Sequence, residues 1–335
     1  PTQGSAFLRE TIPVGDHYDY SVAALQLAPF VQWDHQLAAN WDLSLGARYE
    51  WMQYDYDNRM LDGRTRDTGI PCGLGGCRYS RPADSTDNFT NISPKLSLGY
   101  NLAEDQRLYL TLARGFRAPQ AVELYRLQRA QVVADLESER LDSLELGYQF
   151  DGDKLDVDIA AYAMQKRNLI FRDSDFFNVD SGRTAHRGVE LALAYQLTDA
   201  LAVSLAATEA RHDYDYDKLL SGDNINGHAV DGAPRHFGNL VLKWTPTANT
   251  DVELEWLHMG SYYTDPENNH RYSGHDLLNL FSRIQLTPAL SLNGRVTNLL
   301  DREYADRADY TSFDGDRYIP GSPRAVFLGV DYRWN

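Results

Sequence analysis

Apolar and polar side chains alternate residue by residue along most of this chain. Leu43, Leu45, Ala47, Tyr49 and Trp51 interleave with Ser44, Gly46, Arg48 and Glu50. Leu144, Leu146, Tyr148 and Phe150 interleave with Ser143, Glu145, Gly147 and Gln149. The same pattern carries Leu155 to Ala163 and Val189 to Leu197. Successive side chains of a strand point to opposite faces, so each segment has one apolar and one polar face. The period of two predicts thirteen strands, near 21–36, 42–57, 89–102, 106–116, 139–150, 154–171, 184–197, 201–216, 235–245, 250–263, 274–286, 290–302 and 324–334. Only 117–136 leaves room for a short helix.

The connections fall into two classes. Short turns lie at 38–40, 103–105, 151–153, 198–200, 245–250 and 288–289. Long, acidic, aromatic ones lie at 58–88, 117–138, 172–183, 217–234, 264–273 and 303–323. Short turns at one end and long loops at the other are the pattern of a transmembrane barrel of antiparallel strands. A soluble sandwich would mix its loop lengths and bury its apolar faces in pairs. Tyr and Trp favour a membrane–water interface. Trp41, Tyr100, Phe150, Tyr195, Trp244 and Trp334 are expected to form a girdle at the short-turn end, and Tyr54, Tyr56, Tyr214, Tyr216, Tyr262 and Tyr263 one at the long-loop end. Arg48, Glu50, Lys95, Glu145, Asp156, Asp158, Lys166, Glu190, Lys243, Glu253, Glu255, Arg283, Arg295, Asp331 and Arg333 fall on the other phase. A narrow barrel would bury these charges at a cost of several kcal/mol each unless they were paired, so a wide lumen is expected.

Composition narrows the picture further. The 335 residues carry 32 Lys and Arg against 48 Asp and Glu, a net charge of −16, which argues against a nucleic-acid partner. No run approaches the ~18 apolar residues of a helical membrane span. Two cysteines cannot supply a four-ligand zinc site. Cys72 and Cys77 enclose Gly73-Leu74-Gly75-Gly76 in the longest loop, a spacing that closes a tight disulfide in an oxidising place. Pro1-Thr2-Gln3-Gly4 lacks the basic start and apolar run of a leader, so in an exported protein these are not expected to be the native first residues.

Three stretches carry a resemblance. The first is Ala113-Arg114-Gly115-Phe116-Arg117-Ala118-Pro119, with Glu123-Leu124-Tyr125 following. The second is Arg187-Gly188-Val189-Glu190. The third, the most specific, is Asn298-Leu299-Leu300-Asp301-Arg302-Glu303-Tyr304, then Pro320-Gly321-Ser322-Pro323-Arg324. With these the chain resembles a TonB-dependent outer-membrane receptor over essentially its whole length. The final strand, Val326 to Trp334 with Asn335 after it, is similar to the aromatic-closed terminal strand of such barrels. The resemblance implies an all-β, up-and-down transmembrane barrel in a Gram-negative outer membrane. About thirteen of its 22 strands would lie here, so residues 1–335 would be the C-terminal part of the barrel domain, without the plug and about nine further strands. If the last strand descends to the periplasm, so does the one at 21–36, and residues 1–20 end an extracellular loop. The implied function is uptake of a scarce chelate, most often a ferric siderophore and alternatively cobalamin. The TonB energy-coupling complex would act through the missing plug. No cofactor is implied.

Candidate binding residues follow from side-chain chemistry. Phe116, Arg117, Tyr125 and Arg126 suit an anionic, aromatic chelate, because Arg offers bidentate donors and a stacking plane; the alternative is that they fix the loop root. Tyr54-Asp55-Tyr56-Asp57 and the run from His212 through Tyr214 and Tyr216 to Asp217 set phenols and carboxylates on alternate positions. Such hard oxygen donors suit Fe³⁺ or Ca²⁺; the alternatives are an interfacial girdle and cation bridging to lipopolysaccharide. Tyr262 and Tyr263 complete the candidate rim, where His212, His228, His236, His270 and His275 also gather; His258 stands late on a strand. Two other classes compete. A barrel enzyme would need a nucleophile and base at one strand height, but Ser is sparse near these histidines. A passive channel would need trimer-forming surfaces, which the sequence does not display.

Overall fold

A computed structural model describes residues 6–172, 177–220, 222–311 and 314–334. One antiparallel meander dominates it. Its strands are β1 (Tyr20–Leu27, resuming as Phe30–Ala38), β2 (Trp41–Asn58), β3 (Ser85–Ala103), β4 (Gln106–Arg117), β5 (Glu139–Asp151), β6 (Leu155–Arg172) and β7 (Asn178–Thr198). They continue as β8 (Leu201–Tyr214), β9 (His236–Thr247), β10 (Thr250–Met259), β11 (His275–Thr287), β12 (Leu290–Thr297) and β13 (Ala325–Tyr332). Each pairs with its neighbours in sequence, from β1 to β13. The wall therefore has the thirteen strands that the alternation predicts. Both halves of β1 pair with β2, and the break at Pro29 keeps its carbonyl in the ladder, which accepts from Tyr49 N at 3.0 Å.

The register sorts the side chains into two faces. Trp41, Leu43, Leu45, Ala47, Tyr49 and Trp51 lie on one face of β2, opposite Tyr100, Leu98, Leu96, Pro94, Ile92 and Thr90 of β3. That apolar run spans eleven residues, Trp41 to Trp51, matching the ~9–11 residues of a tilted membrane strand. Beyond it the same face turns polar, at Gln53, Asp55 and Asp57. The lipid band on β5 runs from Phe150 to Leu144, and above it Asp142 and Arg140 share a network with Arg114 of β4. The inner faces hold the charges assigned to the lumen. The short-turn girdle is present, with Trp41 against Tyr100 at 4.5 Å and Tyr332 against Trp334 at 4.7 Å between ring centroids. Asn335 lies outside the described residues, as do 173–176 of the 172–183 connection.

The long-loop girdle needs correction. Tyr54 and Tyr56 fall on the lumen phase, and their Asp neighbours point outward. Tyr54, Tyr56, Tyr214, Tyr216 and Tyr262 are all buried. Above the lipid band the inner face is covered by folded loops, so apolar rings turn inward and carboxylates turn to water, the reverse of what lipid demands. The outer face at this height carries charge instead. Arg187 and Arg211 pair with Asp213, Arg235 and His236 with Glu209, and His258 and the Trp256 indole with Asp276.

The family-like motifs build joints. Asn298 ends β12 in a left-handed turn, φ 50°, accepting from Arg302 N at 2.8 Å and donating to its carbonyl. Asp301 then accepts from Arg324 N at 2.9 Å, tying the start of β13 to the same turn. Gly321 packs against the Tyr304 ring, where a Cβ would stand 2.1 Å from ring carbon. The strand predicted to 302 thus stops at Thr297 because this turn takes over its backbone groups.

Candidate functional site

Pro94 marks where the wall opens. The β3–β4 ladder begins at Lys95–Ala113, although β3 runs outward to Ser85 and β4 to Arg117. Proline has no N–H to give to a ladder, and here none is asked of it. Above this point β3 pairs only with β2, and β4 only with β5. The 117–138 loop fills the inner side, packing Leu124, Tyr125, Leu127, Ala134 and Leu136 against Tyr54 and Tyr56.

Arg117 pins the start of that loop. Its Nε donates to Glu139 Oε2 at 2.8 Å, and Nη1 and Nη2 donate to both oxygens of Glu123 at 2.9 and 3.1 Å. Lys166 Nζ adds a second cation to Glu139 at 2.8 Å, and Ile170 N donates to its other oxygen. Glu139 lies outward of Leu144, beyond the lipid band. Burial opposes its charge, but Arg117 and Lys166 outweigh burial and hold its carboxyl down at about 2. Glu123 also accepts from Gln120 N at 2.7 Å, which starts a short helix, Ala121–Tyr125, in the region that the sequence leaves open for one. Tyr125 lies stacked on Tyr56 at 4.2 Å and donates to Asp87 at 2.6 Å; burial and that carboxylate raise its phenol well above the usual range.

Arg126 follows this helix and is exposed. Its guanidinium stands 5.4 Å over the Tyr18 ring. Both border a cavity of about 660 Å³ on the outer side, with His17, Arg78, Tyr79, Glu123 and Asn178. The 58–81 loop supplies the far side. A disulfide joins Cys72 to Cys77, with Cα atoms 4.9 Å apart. Just beyond it, Arg78 N donates to Thr11 O at 2.9 Å, and Tyr79 stacks on His17 at 4.4 Å. Residues 79–80 also pair with 127–128, joining the two loops. Arg81 is almost fully buried and ties this loop to the N-terminal segment, donating to the carbonyls of Leu61, His17 and Thr65 and to the Thr65 hydroxyl at 2.6–3.0 Å.

The cavity is locally basic on an acidic protein. Among the described residues Arg78, Arg126 and His17 line it, and the one bordering carboxylate, Glu123, has both oxygens on Arg117. A second cavity, about 560 Å³ lower on the wall, is acidic, with Glu145, Asp158 and Glu190 beside Tyr109.

The eight candidate residues do not form one cluster. Arg117, Tyr125 and Arg126 belong to the loop just described, but Phe116 shares the outward phase of Arg114 and leaves it. His212 points into the lumen against His186, and Tyr214 donates to Asp231. Tyr262 accepts from Ala308 N at 2.9 Å under the 305–320 hairpin, and Tyr263 lies under Arg271. His17, Tyr18, Arg78, Tyr79 and Asn178 were not singled out from sequence. Nothing in a period or motif marks them; two of them directly follow the Cys72–Cys77 loop, the one usable cue. Among the described residues no three His, Cys, Asp or Glu side chains gather as a metal site.

The family model described as TonB dependent receptor-like, beta-barrel, matches residues 3–299. The chain belongs to the TonB-dependent receptor family. It is thus part of an outer-membrane barrel, in a family of transporters and not of enzymes. The receptor chain is 25% identical to the ferric aerobactin receptor of Klebsiella pneumoniae over 92% of its length, covering 42% of that protein. It is 22% identical to the vitamin B12 transporter BtuB of Photobacterium profundum over 68% of its length, covering 37% of that one. The ferric yersiniabactin uptake receptor FyuA from Yersinia pestis superposes with a TM-score of 0.75 at 18% identity, over 93% of this chain and 46% of that one. The receptor chain thus spans less than half the length of these relatives.

Proposed function

We propose that this chain is the C-terminal part of the barrel of a receptor that imports a ferric siderophore across the outer membrane. The 1–335 wall would be completed by further strands and a plug, and the TonB complex would act through that plug. The observation that carries the substrate reading is the outer cavity. Two guanidinium groups, an imidazole and two tyrosines face about 660 Å³ of space, while the nearby acid is neutralised. Guanidinium forks suit carboxylates, and phenol and imidazole rings suit the flat faces of a chelate. An anionic ferric chelate bearing carboxylates fits this lining, and the name of the Klebsiella relative supports iron as the cargo. Arg117 and Tyr125 act from behind, holding Arg126 in place.

Cobalamin is the second reading, favoured by the likeness to BtuB. The outward row from Arg187 to Asp276 suits the phosphates of lipopolysaccharide, directly or through divalent cations. The test is uptake by a deletion strain under iron starvation, with labelled ferric siderophores and labelled cobalamin compared. Loss of one ferric siderophore, restored by the wild-type gene and not by an Arg78→Glu/Arg126→Glu double variant, supports the proposal. Lost cobalamin uptake with every siderophore unaffected transfers it to the second reading, and no change in either overturns both.

A further inference from the structure

His186 of β7 and His212 of β8 are direct cross-strand partners, and both face the lumen just above the lipid band. Their Nδ1 atoms stand 2.7 Å apart. Two imidazolium rings cannot meet this way, because each Nδ1 would carry a proton. One Nδ1 must hold a lone pair aimed at the other ring. The far nitrogen of His186 is engaged too, with Nε2 at 2.8 Å from Thr184 Oγ1. A hydrogen bond on one ring nitrogen fixes the tautomer and leaves the other as a ligand. With Nε2–H given to Thr184, His186 presents its Nδ1 lone pair, and a proton on His212 Nδ1 bridges the two rings.

A metal cation can take the place of that proton. Two imidazoles on one tetrahedral cation, with bonds of about 2.0–2.1 Å, stand roughly 3.3 Å apart. Spreading the rings by roughly half an ångström therefore suffices. The displaced proton moves to His212 Nε2, so His212 stays neutral. The third group is adjacent in the sheet: Met164 of β6 is the cross-strand partner of His186 on its other side. A Met–His–His row thus crosses three neighbouring strands on the lumen face. The nearest cation, Lys166, is held by Glu139 at 2.8 Å, which offsets its repulsion. Imidazole and thioether ligands together select copper over harder cations, and the thioether favours Cu(I).

We propose that His186 and His212 clamp a single copper ion in the lumen wall, with the Met164 thioether as its soft third ligand. The site is separate from the outer cavity and does not depend on what the cavity binds. The test uses the receptor purified from outer membranes, titrated without oxygen against the coloured Cu(I)–bicinchoninate complex, with Zn(II) in a parallel titration. The wild type is expected to withdraw one Cu(I) that His186→Gln and His212→Gln each weaken by about tenfold or more. Met164→Leu should weaken Cu(I) and leave Zn(II) unchanged. Heat-modifiable migration on gels checks that each variant is a folded barrel. Folded His212→Gln protein with wild-type Cu(I) affinity overturns the clamp, as does a wild type that takes no Cu(I). Equal loss of both metals in Met164→Leu overturns the soft-ligand role.

Discussion

Arg81 carries a full charge into the interior of a surface loop, and its described hydrogen-bond partners are three carbonyls and a hydroxyl. Hydrogen bonds to a charged group are worth about 1.5–3 kcal/mol each, and a buried acceptor left alone costs about 1–3 kcal/mol. Arg81→Ala should therefore open the 58–81 loop at least about tenfold more often, read as faster amide exchange there with the wall strands unchanged. Arg81→Lys should rescue little, since one ammonium cannot reach Leu61, His17 and Thr65 together. Glu139 makes the complementary case. Its carboxyl titrates at about 2 in place, against about 4.3 when free. A depressed carboxyl stabilises above its free value, so the contribution is complete above about pH 5 and is lost as pH falls toward 2. Glu139→Gln should mimic that loss at neutral pH, leaving Arg117 and Lys166 facing each other, and should raise proteolysis of residues 118–137. Neither role was legible in the sequence. Arg81 sits in an unpatterned loop, and Glu139 only opens the predicted strand 139–150, with nothing in the alternation to mark it.

The strands were legible because lipid on one side and polar groups on the other force a strict period of two. The reading failed where that force ends. Above Trp51 the aromatic rings of β2 switch to the lumen phase, where the inner side is now a protein core, so rings predicted for lipid are buried. The cavity was hidden for a related reason: residues 17, 78, 126 and 178 come from four segments, the N-terminal stretch, the 58–81 and 117–138 loops and the start of β7, and meet only in the fold. Those loops give an element-scale prediction. Cys72 and Cys77 close a ring directly before Arg78 and Tyr79. Mass spectrometry after alkylation without reductant should find both cysteines blocked. A Cys72→Ser/Cys77→Ser variant should insert and migrate as a folded barrel, yet bind the cavity's ligand about tenfold or more weakly, as local order is lost without harm to the wall.

At the scale of the molecule, the sheet formed by the described residues has two free edges, β1 and β13, each with one neighbour. Unpaired edges recruit other strands. The 335-residue chain folded alone into detergent should show a strand-dominated circular dichroism spectrum and sediment as a mixture of oligomers. A monodisperse monomer would mean that the two edges find each other.

The wall is taller than the membrane it crosses. On β2 the lipid-facing run ends at Trp51, but the strand continues to Asn58. Seven more residues at about 3.3 Å each, tilted ~45°, rise roughly 16 Å past the hydrocarbon. The cavity is carried on that parapet. A cell wearing this receptor displays its basic pocket past the lipid headgroups, on a wall that stands roughly 16 Å beyond the hydrocarbon. What a bulky solute can reach without wading through lipid headgroups, an antibody or a phage tail can reach as well.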